Sequence, residues 1–245
     1  MPADKPIVFF DVGGTLIEVV PSIGSVYAAA CGERGLAIGA HELQRAFDAA
    51  WRAISEEIPR GADRYSHFEG GEHEWWERVS VHAFDLCGLP ADRRPTVDRL
   101  RSAFARAEAW TLYPEARGAL EALRREGCRL GVISNWDSRL PALLSSLDLD
   151  DHFEAVTYSA AERIEKPHPA IFDAALRALE ADPSRAFHVG DRLEEDYLGA
   201  REAGLRALLV CRQPAGPELM DEVRRWGHES DLVADLAAAV DRILS

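Results

Sequence analysis

The stretch IVFFDVGGTL, residues 7–16, combines an apolar run, an aspartate and a pair of glycines. The run Ile7–Phe10 is typical of a buried strand in a parallel sheet, and Gly13 and Gly14 predict a turn directly after it. Asp11 would then lie just past the carboxyl end of the strand, where parallel sheets place their functional sites. On its own, an Asp-x-Gly-Gly sequence is equally compatible with an ordinary turn.

From Thr111 onward, strand-like and helical segments alternate along the chain. Short apolar runs predict buried strands, and segments with helical spacing lie between them. This alternation predicts an α/β fold built on a doubly wound parallel sheet. The predicted strands are residues 130–133, 155–158, 187–189 and 208–211, and the predicted helices are residues 114–126, 140–147, 170–179, 197–203 and 236–244.

Residues 17–110 differ from the rest because their apolar residues have helical spacing and no strong strand run lies between them. They predict a helical insertion after the first strand, so that residues 1–16 and 111–245 form the core of the protein. The tryptophans of the insertion are expected to be packed core rather than a substrate-binding cage. The predicted helices of the insertion are residues 26–30, 42–57, 75–86 and 96–109.

The charge of the chain limits its partners. Its 245 residues include 28 basic and 42 acidic side chains, a formal net charge of −14. This excess of acid argues against a nucleic acid or an anionic membrane as the main partner. An anionic substrate is compatible with it if a cation or a local basic cluster receives the substrate.

The cysteines and the N-terminal residues indicate a cytoplasmic protein. The four cysteines are scattered and form no Cys-x-x-Cys pair, which is typical of reduced thiols rather than of disulfides or a zinc site. The first residues are polar and the apolar run that follows is short, so we expect neither a secretion signal nor a membrane span.

Polar residues also come directly after later predicted strands. Ser134 and Asn135 offer a hydroxyl and an amide to an anionic oxygen, although this pair is also typical of a helix cap.

Lys166 is one of only two lysines among the 28 basic residues, the other being Lys5. A lone lysine is usually a solvated surface charge, but a compact ammonium kept among so many arginines indicates a role that arginine would not fill.

An acidic cluster follows another predicted strand. Gly190 and Asp191 end this strand, and three more acidic residues follow, the last of them Asp196. Such a cluster is also typical of a helix start, where it complements the helix dipole. His188, inside the strand, is expected to be a structural histidine.

These residues, in this order, resemble the four motifs of the haloacid dehalogenase-like superfamily. The matching parts are the strand-ending Asp11 followed by Gly-Thr-Leu, the Ser-Asn pair, the Lys-Pro pair, and the Gly-Asp-x-x-x-x-Asp of residues 190–196. The helical segment 17–110 is similar to the cap of subfamily IA, which is inserted between the first two motifs. The resemblance extends from Ile7 to about Cys211 and implies a Rossmann-like parallel sheet core with an inserted helical cap domain.

The resemblance implies a Mg²⁺-dependent phosphatase-type hydrolase that acts on a small phosphorylated metabolite. Asp11 would attack phosphorus and form an aspartyl-phosphate, which water then hydrolyses. Ser134 and Lys166 would hold the phosphoryl oxygens. Thr15 and Asn135 are further candidates for substrate binding.

A magnesium site is also implied by the resemblance. Asp11, the backbone carbonyl of Gly13 and Asp191 would bind Mg²⁺, and Asp196 would bind through water or support the site. Carboxylates that converge with a single lysine leave a negative pocket, and a divalent cation would let an anionic substrate enter it.

Gly13 departs from the phosphatase pattern. The phosphatases of this superfamily have an aspartate at this position, two residues after the nucleophile, and it serves as general acid and base. Glycine cannot protonate a leaving oxygen, and this function contributes about 10²–10⁴-fold to the rate. Either the leaving group has a low pKa, as in acyl and aryl phosphates, or the cap supplies an acid. The cap candidates are His67, Glu69, Glu72 and His73.

Two other functions stay open at this point. The 2-haloacid dehalogenases also lack that second aspartate, since halide leaves without a proton, but they work without metal and have neutral residues where this chain has Asp191 and Asp196. The second alternative is a binding protein without turnover on the same scaffold. A phosphonoacetaldehyde hydrolase is excluded because its chemistry needs a cap lysine, and no lysine lies between Lys5 and Lys166.

Overall fold

A six-stranded parallel sheet forms the centre of the protein. The computed structural model describes residues 5–89, 94–213, 216–226 and 229–245. The strands are β1 (Ile7–Phe10), β2 (Ile17–Val19), β3 (Trp110–Leu112), β4 (Arg129–Ser134), β5 (Ala155–Tyr158), β6 (Ala186–Gly190), β7 (Arg206–Val210) and β8 (Leu232–Val233). The order in the sheet is β5-β4-β1-β6-β7-β8, which places β1 between β4 and β6. The carboxyl ends of these three strands are therefore neighbours.

Helices connect most of the strands along the chain, and one more helix follows the last strand. They are α1 (Ile23–Gly32), α2 (Ala40–Ser55), α3 (Arg64–His67), α4 (Gly71–Leu86), α5 (Arg94–Phe104), α6 (Ala116–Arg125), α7 (Leu140–Ser146), α8 (Ser159–Glu162), α9 (Pro169–Ala178), α10 (Gly199–Glu202), α11 (Pro217–Trp226) and α12 (Leu236–Leu244). Within the described parts of the chain, none of the helices combines the length and the apolar character that a membrane crossing requires.

Both faces of the sheet are covered by helices. Successive residues of a strand point to opposite faces, so Val8 and Phe10 pack with α6, α7 and α12 on one side while Phe9 packs with α9 and α10 on the other. Burial on both faces explains why β1 is a continuous apolar run rather than an alternating one. The predicted α/β fold with a Rossmann-like parallel sheet is confirmed.

In the described part of residues 17–110, the helices α1 to α5 pack around a hydrophobic cluster of their own. Tyr27, Phe47, Trp75 and Phe84 are among its buried side chains, and Trp75 is fully buried as predicted. The division into a core of residues 1–16 and 111–245 and an insertion of residues 17–110 stays a prediction. Residues 1–4 and 90–93 of these ranges lie outside the described residues.

A small antiparallel sheet joins the two ends of the insertion, which the sequence did not predict. In it β2 pairs with β3, so that Val19 lies opposite Trp110. Each strand has only three residues, too few to show the alternation that identifies a strand. They pair because the chain leaves and re-enters the sheet domain side by side. The short β8 and the helix α11 also escaped prediction.

The predicted helix at residues 197–203 begins earlier and with a wider turn. Residues Leu193–Leu198 form a π-helix, and α10 continues from it. The amide of Tyr197 donates to the carbonyl of Arg192, five residues back. Such wide turns recur at functional sites. This one turns the side chain of Asp196 back toward the end of β6.

Candidate active site

Three neighbouring strand ends bring the predicted site residues together. Asp11 follows β1, Ser134 ends β4 and Asp191 follows β6. Asp11 is nearly buried, and its Oδ1 accepts a hydrogen bond from the Ser134 hydroxyl at 3.0 Å. The Asp11 amide donates to the carbonyl of Val189 on β6 at 2.9 Å. The nucleophile candidate is therefore fixed by both neighbouring strands.

Lys166 occupies the centre of this group although it is remote in sequence. Its Nζ donates to Asp11 Oδ1 at 2.8 Å, to Asp196 Oδ1 at 2.5 Å and to the carbonyl of Ile133 at 2.8 Å. The side chain is almost completely buried. Burial disfavours the ammonium, but the two carboxylates outweigh that effect and raise the pKa of Lys166. Lys166 is therefore a fixed positive charge beside Asp11.

The carboxylate of Asp196 is a second acidic partner of Lys166. Its Oδ1 also lies 3.0 Å from Nε2 of His188, and its Oδ2 accepts from the amide of Arg192 at 2.9 Å. Burial opposes the charge, but Lys166 and His188 lower the pKa of Asp196 below its usual range. A Cβ on Gly190 would come within 2.2 Å of the Asp196 carboxyl carbon, so this close approach requires glycine there.

Asp191 faces Asp11 from the end of β6. Its Oδ1 accepts a hydrogen bond from the hydroxyl of Thr15 at 3.1 Å. Burial, followed by the charges of Asp11 and Asp196, raises the pKa of Asp191 to about 7. A Cβ on Gly14 would lie 2.5 Å from Asp191 Oδ2, and Gly14 has a φ of +85°, so glycine is required on both counts.

Three carboxylates converge where the resemblance implies magnesium. Oxygens of Asp11, Asp191 and Asp196 lie within 4.8 Å of one another. Carboxylate oxygen is the ligand type that Mg²⁺ prefers. Among the described residues, the ammonium of Lys166 contacts two of these carboxylates, those of Asp11 and Asp196. The donor set and the unbalanced negative charge fit a divalent cation.

Two predicted substrate-binding residues already have protein partners. The amide group of Asn135 donates to the backbone carbonyl of Lys166 at 2.9 Å and accepts from its backbone amide at 2.7 Å. Thr15 is fully buried and donates to Asp191. In this arrangement both residues position the charged groups, and their contact with substrate stays a prediction.

A cavity of about 1030 Å³ lies between the helical insertion and this end of the sheet. Gly13, Lys166 and Asp191 are part of its wall. The insertion also contributes half-buried aromatic side chains, including Trp51 and Trp76. Both tryptophans also pack against the buried cluster of the insertion, in agreement with the expectation of packed core, and they expose part of their surface to the cavity.

Polar contacts join the insertion to the sheet domain on two sides of the cavity. On one side, Nε of the buried Arg64 donates to Glu165 Oε2 at 2.7 Å. Glu165 directly precedes Lys166 in the chain. Burial disfavours the Arg64 guanidinium, but Glu165 outweighs it and raises the pKa of Arg64. On the other side, Trp76 Nε1 donates to Asp137 Oδ2 at 2.7 Å. The insertion is thereby held over the strand ends.

The four cap residues considered as replacement acids lie elsewhere. Glu72 accepts hydrogen bonds from the amide and the hydroxyl of Ser138, at 2.9 and 2.6 Å. His73 contacts Arg101, and His67 packs against the ring of Phe68. None of these three residues is among the described residues that line the cavity, and neither is Glu69.

The family description that matches this chain is "haloacid dehalogenase-like hydrolase", over residues 6–204. The chain belongs to the haloacid dehalogenase-like hydrolase family. The match includes all the strand ends described above, from Asp11 to Asp196. The predicted resemblance and the enzyme class are confirmed.

Relatives with curated descriptions include other members of this family. The chain is 34% identical over 219 residues to the haloacid dehalogenase-like hydrolase domain-containing protein 3 of Mus musculus, covering 88% of this chain and 84% of that protein. It is 41% identical over 101 residues to the glyceraldehyde 3-phosphate phosphatase of Pyrococcus abyssi, covering 39% of this chain and 40% of that protein.

Solved structures of the family share the fold over nearly the whole chain. The magnesium-bound HAD-hydrolase YfnB from Bacillus subtilis superposes with a TM-score of 0.74 at 16% identity, covering 98% of both chains. The 2-haloacid dehalogenase from Pseudomonas syringae pv. Tomato DC3000 superposes with a TM-score of 0.64 at 25% identity, also covering 98% of both chains.

The sequence reasoning missed several residues of this haloacid dehalogenase-like site. Trp136 directly follows the Ser-Asn pair, and Glu165 directly precedes Lys166, so adjacency to a motif was an available signal for both. His188 was expected to be structural, and it is fully buried against Asp196. Arg64 had no such signal, because its partner is 101 residues away.

Proposed function

We propose that this family member is a Mg²⁺-dependent phosphatase-type hydrolase that acts on a small phosphorylated compound. The observation that carries the proposal is the Asp11 carboxylate, held by Ser134 and Lys166 and faced by Asp191. A phosphatase of this kind needs a nucleophile and a positive group for the phosphoryl oxygens, which Asp11 and Lys166 would supply, and a cation bound by the carboxylates would neutralise their remaining charge. The Pyrococcus relative is named as a phosphatase, which supports hydrolysis of a phosphate ester as the type of reaction.

In the proposed reaction, an oxygen of Asp11 forms a bond to phosphorus while the bond from phosphorus to the leaving oxygen breaks. Water then hydrolyses the aspartyl-phosphate and releases inorganic phosphate. The hydrogen bonds from Ser134 and Lys166 to Oδ1 fix the orientation of the carboxylate before attack. The Lys166 ammonium offsets the negative charge that builds up between Asp11 and the phosphoryl group.

The magnesium ion would be held by the carboxylates of Asp11 and Asp191 and by the backbone carbonyl of Gly13. When bound, it supplies positive charge that draws in and polarises the phosphoryl group. Asp196 would act one step further out, since its oxygens already accept from Lys166, His188 and the Arg192 amide.

The helical insertion, residues 17–110, would act as a cap that closes the cavity and excludes water. Its contacts at Glu165 and Asp137 support this role, because they hold it over Asp11 and Asp191. The proposed compartment is the cytoplasm, where four free cysteines remain reduced.

Gly13 limits the range of substrates in this proposal. Since no side chain at residue 13 can protonate the leaving oxygen, we expect slow turnover of alkyl phosphates and faster turnover of phosphates whose leaving groups have a low pKa.

One alternative has a specific observation in its favour. The fold shared with the Pseudomonas 2-haloacid dehalogenase and the absence of an acid at Gly13 both fit a dehalogenase. The acidic Asp191 and Asp196 favour the phosphatase, because a metal-free reaction gains nothing from converging carboxylates. A binding protein without turnover is the remaining alternative, and the buried, oriented Asp11 argues against it.

The proposal is tested by hydrolysis of p-nitrophenyl phosphate and acetyl phosphate, with Mg²⁺ and with EDTA. We expect turnover that requires Mg²⁺ and that disappears in Asp11→Asn, a variant that keeps the size of the side chain. Turnover of a 2-haloacid without metal would establish the dehalogenase instead. Phosphate binding with no turnover of any of these compounds would leave the binding protein.

A further inference from the structure

Four half-buried tryptophans line the cavity above the strand ends. Trp51 and Trp76 come from α2 and α4 of the insertion, and their ring centres lie 5.8 Å apart. Trp110 from β3 and Trp136 from the segment after β4 form a second pair, with ring centres 5.1 Å apart. Trp75, by contrast, is fully buried in the core of the insertion. Aromatic side chains that line a concave cavity are typical of a small-molecule site.

The polar edges of two of these indoles are fixed by the protein. Trp76 Nε1 donates to Asp137 Oδ2 at 2.7 Å, and Trp110 Nε1 donates to the carbonyl of Phe104 at 3.1 Å. These bonds orient the rings. The Arg139 guanidinium lies 5.4 Å from the ring centre of Trp76, and the ring centre of Phe104 lies 6.1 Å from that of Trp110, so a ligand would contact only the part of each indole that lines the cavity. Aromatic pairs prefer stacked or edge-to-face contact, and fixed rings select a planar partner.

Trp136 stands where a general acid would have to fit. A Cβ on Gly13 would lie 2.9 Å from Cζ3 of Trp136, so the indole fills the space that a side chain at residue 13 needs. A carbon edge of the indole therefore replaces a proton donor at this point. The leaving group has to depart without protonation, which a phenoxide can do because the pKa of its phenol is about 10, and which an alkoxide cannot do.

Five arginines line the described part of the cavity. Arg60, Arg64 and Arg139 are each paired with a carboxylate, that of Glu194, Glu165 and Asp137 respectively. The other two, Arg52 and Arg192, are exposed. The reacting phosphate itself is anchored in the proposed function by the group at Asp11 and Lys166.

From these observations we infer that the substrate is an aryl phosphate monoester whose ring lies among the cavity tryptophans. The inference rests on the proposed phosphatase function and names its substrate class. In the reaction, the Asp11 oxygen–phosphorus bond forms and the phosphorus–aryl oxygen bond breaks. The phenoxide leaves with the electron pair and takes a proton from solvent, and one water molecule hydrolyses the aspartyl-phosphate to inorganic phosphate.

Equilibrium binding to Asp11→Asn tests the inference without turnover. Dissociation constants are measured by calorimetry in Mg²⁺ for phenyl phosphate, 2-naphthyl phosphate and methyl phosphate. We expect phenyl phosphate to bind about tenfold more tightly than methyl phosphate, as one ring stacked in an aromatic site would give. Adding Trp51→Ala should remove most of this preference, and Trp51→Phe should restore it. Because both ligands are measured on the same preparation, a folding defect would weaken both.

The outcomes separate the inference from the proposed function. Equal affinity of Asp11→Asn for phenyl and methyl phosphate, with acetyl phosphate still hydrolysed by the unmodified enzyme, would overturn the aryl specificity and leave the phosphatase intact. A preference that survives Trp51→Ala unchanged would also overturn it. Absence of both phosphate binding and acetyl phosphate hydrolysis would refute the two together.

Discussion

Placing an aspartate at residue 13 is the most direct test of how this site works without an acid. In Gly13→Asp the new Cβ would meet Trp136 at 2.9 Å, well inside the separation of about 3.5–4.0 Å at which carbon atoms attract. Forcing extra atoms into a packed site costs about 1–3 kcal/mol. Trp136 would have to rotate away from Trp110, so we expect the substitution to destabilise the protein by that amount.

The same clash decides the effect on catalysis. A working general acid would raise hydrolysis of an alkyl phosphate by about 10²–10⁴-fold. We expect Gly13→Asp alone to give little of this gain, because the displaced indole disturbs the cavity beside Asp11. In the double variant Gly13→Asp, Trp136→Ala, the carboxylate has room, and the gain on alkyl phosphates should appear while aryl phosphates lose affinity.

The assay combines urea denaturation with kcat/KM for methyl phosphate and p-nitrophenyl phosphate. Gly118→Asp is the matched control, since it adds the same charge on the exposed side of α6 with open space around its Cβ. If Gly13→Asp alone were as stable as the unmodified enzyme and alone gave a hundredfold gain on methyl phosphate, the reasoning about Trp136 would be refuted.

Three further substitutions or treatments have defined outcomes. Lys166→Met leaves two buried carboxylates without their partner, so we expect a loss of about 3–5 kcal/mol of unfolding free energy together with all activity, and a small loss would show that the group relaxes. For Arg64→Met and Glu165→Gln, a double-mutant cycle should give a coupling energy of about 0.5–3 kcal/mol, whereas additive losses would mean that the insertion is held by other contacts. After EDTA treatment, Mg²⁺ at a hundredfold excess over its Kd should stabilise the enzyme by about 2.7 kcal/mol, and Asp191→Asn should abolish this gain; an equal gain in both would place the ion elsewhere.

The sequence predicted those parts of the fold in which local pattern and burial agree. The run before Asp11 is apolar because β1 is buried on both faces, so its composition alone identified the strand. The pairing of Val19 with Trp110 and that of Arg64 with Glu165 depend on segments that meet only after folding. Neither the hydrophobic periodicity nor the secondary-structure propensity of these segments indicates such a contact. The π-helix Leu193–Leu198 was not predicted for a similar reason, because its wide turn serves to direct the Asp196 carboxylate toward partners that it meets only in the folded protein.

The contacts of the three carboxylates indicate where a cation belongs. Asp196 has both oxygens engaged, by Lys166, His188 and the Arg192 amide, and its pKa is lowered, so its charge is already balanced by the protein. Asp191 contacts the neutral hydroxyl of Thr15, and its pKa is raised to about 7 by burial and by the neighbouring carboxylates. The unbalanced charge therefore lies at Asp191. We expect Asp191 and Asp11 to hold Mg²⁺, while Lys166 contacts both Asp196 and Asp11 and so keeps the nucleophile in place.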